Sequence, residues 1–272
     1  MMAQCSDCIV PLFFSRPVCT MRPLRLQLVA GARSRVVAIV FSRCSRMLRR
    51  CWPGSLALVL AASFVLAGAQ QVEWDFKLIS EQSARLYGPL GDGQVRIDAW
   101  QKMLAEQSTA AERDQLQAVN RFFNDQLRFT DDLSLWHEVD YWATPVEALL
   151  KGAGDCEDFA IAKYISLRHL GVPAQKLRIT YVKALRLNQA HMVLTYYPRP
   201  DAVPLVLDNL IGSILPASQR SDLQPVYAFN GEGLWLAGSG AGGGKQVGDS
   251  KRLSRWQDLL KKMKAEGFPS NE

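Results

Sequence analysis

From Arg96 to Leu127 the apolar positions recur at helical spacing. Ile97, Trp100, Met103 and Leu104 form one stripe, and Leu116, Val119, Phe122, Phe123 and Leu127 form a second, which predicts core-facing helices. The stretch TPVEALLKG, residues 144–152, predicts a short helix with Thr144 as N-cap, Pro145 in its first turn, Glu147 closing a capping box and Gly152 past its end. A further helix starts at AGDCEDFAIAKY, residues 153–164, with Asp155 as N-cap and Asp158 three residues on, and it ends before Gly171 and Pro173. The period then changes. KLRITYV (176–182), HMVLTYY (191–197) and VPLVLD (203–208) are β-branched and aromatic runs separated by turn residues, which predicts strands. Pro198, Pro200 and Asp201 separate the last two and favour an antiparallel hairpin. GSGAGGGKQVG (238–248) has the composition of a flexible linker. SKRLSRWQDLLKKMKAEG (250–267) predicts an amphipathic helix with Leu253, Trp256, Leu259, Leu260 and Met263 on one side. Helices followed by a sheet make an α+β domain.

Charge changes this picture only at the N-terminus. The chain of 272 residues carries a formal charge of +6. Residues 1–70 hold nine Arg, no Lys and one acid, Asp7, which leaves 23 basic and 25 acidic residues for the remainder. The basic balance therefore belongs to the leader, and charge gives no support for nucleic-acid binding. From Met47, two arginines (Arg49, Arg50), an apolar run from Ser55 to Leu66 and the small-x-small pattern Ala67-Gly68-Ala69 predict a signal peptide over 47–70 and export to the periplasm. The apolar run falls short of the roughly 20 residues that span a bilayer. Residues 1–46 are Arg-rich and unpatterned, as expected of a start assigned too far upstream or of a transit peptide. The expected organisation is a leader over 1–46, a signal peptide over 47–70, a main domain over 71–237, a linker over 238–249 and a terminal helix over 250–272.

Cysteine usage then points to chemistry. Cys5, Cys8, Cys19, Cys44 and Cys51 all lie in the leader, so beyond residue 70 only Cys156 remains. A lone thiol in an exported chain is a buried apolar residue or a reactive group. A cysteine nucleophile needs a base, and the base needs an orienting group. The candidate bases are His137, His169 and His191. His169 is about 20 Å from Cys156 along the same helix, and His137 lies in a loop. His191 opens a predicted strand. A hairpin turn centred between Arg199 and Pro200 sets Thr195 opposite Pro204 and His191 opposite Asp208, about 5 Å apart, with Asn209 as a substitute orienter. Cys156 at a helix N-terminus benefits from the helix dipole, and its own N–H can stabilise an oxyanion. Tyr141 and Trp142 are candidates for a second oxyanion donor. The competing reading is a buried cysteine beside a polar hairpin.

The segments YWATPVEALLKGAGDCEDFAIAKYISLRHLGVP, LRITYVKA, AHMVLTYY, PLVLDNL and PVYAFN resemble the bacterial transglutaminase-like cysteine peptidases of the LapG type, over residues 72–236. That resemblance implies a papain-like/transglutaminase-like fold with a helical lobe followed by an antiparallel sheet lobe. It implies that Cys156, His191 and Asp208 form a catalytic triad. It also implies a periplasmic protease that clips the N-terminal region of a large surface adhesin, releases cells from a biofilm and is sequestered by an inner-membrane LapD-type cyclic-di-GMP receptor. Calcium dependence follows from the same resemblance, with Asp155 and Glu157 as the ligands most indicated. Asp158 adds a third carboxylate on the same turn, and such crowding is costly without a cation. Acids at a helix start are equally explained as caps. Two other functions share these residues: an acyl transferase that passes the thioester to an amine, and a noncatalytic calcium-dependent partner of the receptor.

Overall fold

The structure, a computed structural model, describes residues 73–236 and 244–269. The expected signal peptide and the leader before it lie outside the described residues. The described residues open with three helices, α1 (Phe76–Tyr87), α2 (Asp92–Gln107) and α3 (Glu112–Gln126). The two predicted stripes fall on α2 and α3, and Ile97, Trp100, Leu104, Leu116, Val119 and Phe123 are all buried. A parallel two-stranded ladder joins β1 (Arg128–Phe129) to β2 (Ala153–Gly154). Between them lie α4 (Asp132–Trp136) and α5 (Pro145–Lys151). α5 begins as its sequence demands: the Thr144 hydroxyl accepts from Glu147 N, the Glu147 carboxylate accepts from Thr144 N, and Gly152 closes the helix at φ +59°.

The central helix α6 runs from Cys156 to His169. It is buried almost along its whole length and packs against α3 and the sheet. Gly171 follows it at φ +89°, a conformation that glycine adopts without a Cβ clash. Among the described residues the sheet has seven antiparallel strands in the order β6-β5-β4-β3-β7-β8-β9: β3 (Leu177–Ala184), β4 (Gln189–Tyr196), β5 (Leu205–Leu207), β6 (Leu215–Pro216), β7 (Leu223–Phe229), β8 (Leu234–Leu236) and β9 (Lys245–Gly248). Leu177, Ile179, Met192, Leu194 and Phe229 join the main core with α6. Val182, Val193 and Val206 form a smaller cluster.

One C-terminal segment differs from its sequence pattern and the next follows it. Lys245–Gly248, linker-like in composition, pairs with β8 as an edge strand; an open sheet edge offers backbone hydrogen bonds that composition does not reveal. The amphipathic C-terminal segment forms α7 (Ser254–Ala265), and Trp256, Leu259, Met263 and the following Phe268 are buried in the same core as α6. Lys262 Nζ donates to Glu147 Oε2 and to the Trp142 carbonyl, both at 2.7 Å. Glu266 accepts from Thr144 Oγ1 at 2.5 Å and from Tyr87 OH at 2.7 Å. The terminal helix is thus fastened to the start of α5.

Candidate active site

Cys156 is the first residue of α6, and it is buried. The start of this helix is built from the acids around it. Asp155 and Asp158 form a reciprocal capping box. Asp158 Oδ1 accepts from Ala143 N at 2.7 Å, and its Oδ2 accepts from Asp155 N at 3.2 Å. Asp158 therefore ties the segment just before α5 to the start of α6. Gly154 is required here, because a Cβ at that position would sit 2.7 Å from Asp158 Oδ2 and 2.8 Å from its Cβ. The Cys156 thiol donates to Glu157 Oε2 at 3.1 Å.

His191 lies near the start of β4, the strand against which α6 packs. His191 Nε2 and Asp208 Oδ1 are 2.8 Å apart, and both side chains are buried. This pairing arises from a register other than the expected one. Leu194 stands opposite Leu207 and Thr195 opposite Val206, not Pro204. The turn is centred one residue later, with Ala202 N donating to Arg199 O and Pro200 in the second position, where its fixed φ fits. The slip is two residues along the partner strand. Strand side chains alternate with a period of two, so it moves Asp208 to a diagonal position without changing its face. Asp208 lies just past the end of β5, and its side chain reaches back to His191.

Three further groups hold Asp208. Leu210 N donates to Oδ1 at 3.1 Å, and Arg220 Nη2 donates to Oδ2 at 2.7 Å. Asn124 Nδ2 donates to the Asp208 carbonyl at 2.9 Å, while its Oδ1 accepts from the fully buried Lys163 Nζ at 2.7 Å. Burial pushes the Asp208 carboxyl up, but the hydrogen bonds from His191, Leu210 and Arg220 outweigh it and hold the group at about 2. Asp208 is therefore an anion at any working pH. With Nε2 committed to that anion, Nδ1 is the ring nitrogen left to face a thiol.

The acids extend beyond the helix start. Carboxylate oxygens of Asp132, Asp155 and Asp158 lie within 4.8 Å of one another, and so do those of Asp132, Asp140 and Glu157. Asp132 Oδ1 is buried with no hydrogen-bond partner among the described residues. Burial, reinforced by Glu157 and Asp140, pushes Asp132 up to about 7. Burial and the Glu157 charge likewise raise Asp155 and Asp158 well above the ordinary carboxylate range. Crowded buried carboxylates with an unfilled oxygen fit a hard divalent cation, which takes several oxygen ligands. The three acids expected from the sequence are brought together. Asp158 spends both oxygens on backbone N–H groups, and Asp132 and Asp140 enter from the stretch DDLSLWHEVDYW, at the start of α4 and in the turn after it. Its acid content was the only sequence signal for them.

The remaining candidates take other parts. The Tyr141 N–H donates to Asp132 Oδ2 and its hydroxyl to Glu147, while Trp142 Nε1 donates to Asp140, so these groups are not free to serve as a second oxyanion donor. His137 ends α4 in the left-handed region at φ +61°. His169 stacks on Trp74 at the opposite end of α6 from Cys156.

Over residues 96–223 the chain matches the family described as bacterial transglutaminase-like cysteine proteinase BTLCP. It is also similar to solved structures of Legionella pneumophila LapG. One is 46% identical with a TM-score of 0.59, covering 69% of this chain and 97% of that one. An EGTA-treated form gives 46% identity, a TM-score of 0.60 and the same coverage, 69% of this chain and 97% of that one. A calcium-bound form gives 44%, 0.58, 68% and 98%. None of the curated proteins matches the chain. A helix led by a buried cysteine, laid on an antiparallel sheet that carries a histidine–aspartate pair, is the papain-like α+β arrangement. Together with these likenesses it makes the chain a cysteine peptidase that belongs to the bacterial transglutaminase-like cysteine proteinases of the LapG type.

Proposed function

We propose that Cys156, His191 and Asp208 are the catalytic triad of a calcium-dependent endopeptidase. The observation that carries this reading is the buried 2.8 Å contact between His191 Nε2 and Asp208, with His191 on β4, the strand against which the Cys156 helix packs. His191 Nδ1 takes the thiol proton, and the sulfur attacks the scissile carbonyl carbon. The resulting oxyanion meets the Cys156 N–H at the helix start. The C–N bond then breaks as His191 returns the proton to the leaving amine, which leaves a thioester. His191 next takes a proton from water, the hydroxide attacks the thioester, and the carboxylate product leaves with the thiol restored. Asp208 keeps the imidazole in the required tautomer and stabilises the imidazolium.

Asp132, Asp140, Asp155 and Glu157 would hold Ca²⁺. When bound, the ion neutralises the carboxylates beside the nucleophile. The likeness to a calcium-bound LapG supports the choice of metal. The signal-peptide pattern over 47–70 supports a periplasmic location. The LapG-type resemblance supports a large surface adhesin as substrate, cut in its N-terminal region, with biofilm dispersal as the outcome. It equally supports a LapD-type cyclic-di-GMP receptor as the partner that restrains the enzyme.

The test mixes the purified protein with the N-terminal fragment of the large adhesin of the same organism. A single cut that is lost in chelator, restored by calcium and lost in Cys156→Ala supports the whole reading. Cutting that persists in chelator removes the calcium requirement. Cutting by Cys156→Ala removes the triad. An adhesin left intact in every lane removes the proposed substrate.

A further inference from the structure

We infer that Arg220 is the positioning residue that fixes Asp208 against His191, through the carboxylate oxygen that His191 does not use. This inference rests on the triad reading above. Arg220 follows a single 3-10 turn, Ala217–Gln219, and is 2% exposed. Its Nη2 meets Asp208 Oδ2 at 2.7 Å. The same Nη2 and Nε meet the two oxygens of Asp222 at 2.9 and 3.0 Å. The guanidinium is thus held in a fork by Asp222, at the rim, and presents one N–H to Asp208, in the interior. The backbone supports this pose, with Arg220 N donating to Ala217 O and Leu223 N donating to Arg220 O.

The division of labour on the Asp208 carboxylate is what gives Arg220 its role. Oδ1 carries His191 and Leu210 N. Oδ2 is buried, and Arg220 is the donor that satisfies it. Without Arg220 that oxygen becomes an orphaned buried acceptor, and the carboxylate gains a reason to rotate towards other donors. An imidazole whose partner rotates loses its tautomer and its aim. Charge alone predicts the opposite. Removing a cation from Asp208 would leave more of its negative charge for an imidazolium, and the thiolate–imidazolium pair would strengthen. The sign of the change therefore separates positioning from charge competition.

The readout is the alkylation rate of Cys156 by iodoacetamide, followed by peptide mass mapping in the calcium-loaded full chain between pH 5 and 9. It needs no substrate. A thiolate paired with His191 reacts well below the ordinary thiol pKa of about 8.5. Arg220→Leu is expected to slow alkylation at pH 6.5 at least tenfold, and millimolar guanidinium is expected to restore much of the rate. Arg220→Lys keeps a cation and is expected to fall between the two. Asp222→Asn, which unhooks the guanidinium without touching Asp208, is expected to cause a smaller loss, and it decides the matter if Arg220→Leu does not fold. An unchanged or faster rate in Arg220→Leu, or in Asp222→Asn where Arg220→Leu is unfolded, overturns the inference. A wild-type profile that follows an ordinary free thiol overturns the triad reading itself, and the Arg220 inference with it.

Discussion

Lys163 sits about two turns along α6 from Cys156, with its side chain wholly enclosed. Burial drives its pKa down to about 7, against a pull upward from Asp208. In the unfolded chain the same group holds its proton to about 10.4. Between those values the unfolded state binds a proton that the folded state does not, so this group makes stability rise with pH across pH 7–10. Below pH 7 both states are protonated, and the full penalty of a buried ammonium remains. Lys163→Met removes the group. Thermal unfolding from pH 6 to 10 should show the wild-type midpoint gaining on that of Lys163→Met as pH rises, and parallel curves would refute the assignment. Asp132 offers a second test at this scale. Its unfilled buried oxygen makes it a calcium ligand in the proposed site. Calcium at a hundred times its dissociation constant stabilises a folded protein by about 2.7 kcal/mol. The wild type should show a calcium-induced rise in melting temperature, and Asp132→Asn should lose most of it.

Elements differ in how much of their placement is local. The starts of α5 and α6 were readable because a cap is decided within four residues: Thr144, Pro145 and Glu147 in one, Asp155 and Asp158 in the other. The β4–β5 register was readable only in its parity. Which two residues centre the turn depends on the conformation of Pro198–Ala202, and composition does not settle that. Parity sufficed for His191 and Asp208, because a side chain past the strand end can reach a diagonal neighbour. Arg220, Asn124, Asp132 and Asp140 were not readable, since each reaches the site from a loop or helix whose approach depends on the finished fold. The α5 cap gives a direct test. Thr144→Val removes the hydroxyl that accepts from Glu147 N and also donates to Glu266. Loss of an N-cap costs about 0.5–2 kcal/mol, so urea unfolding should show a loss of that order with little change in slope.

Across the whole molecule, the helical lobe, the sheet and the terminal helix share one core. Trp256 packs on Tyr164 of α6 and on Phe229 of β7. Trp256, Leu259, Met263 and Phe268 are each at most 4% exposed. Removing four such side chains, at about 1.5–3 kcal/mol each, takes away an amount comparable to the 5–15 kcal/mol that holds a typical domain together. A chain ending at Asp249 should therefore fail to show a cooperative thermal transition by circular dichroism. A sharp transition from that truncation would mean that α7 is an accessory.

Trp74 and Phe268 touch edge to face with ring centroids 4.9 Å apart, so the beginning and end of the described chain close on each other. Those two rings bracket Cys156, His191 and Asp208 in sequence, so the elements that carry them are clasped from both sides. The contact works as a buckle: a chain trimmed of either ring loses part of the wall that backs α5 and α6, and the candidate site slackens although none of its own residues has changed.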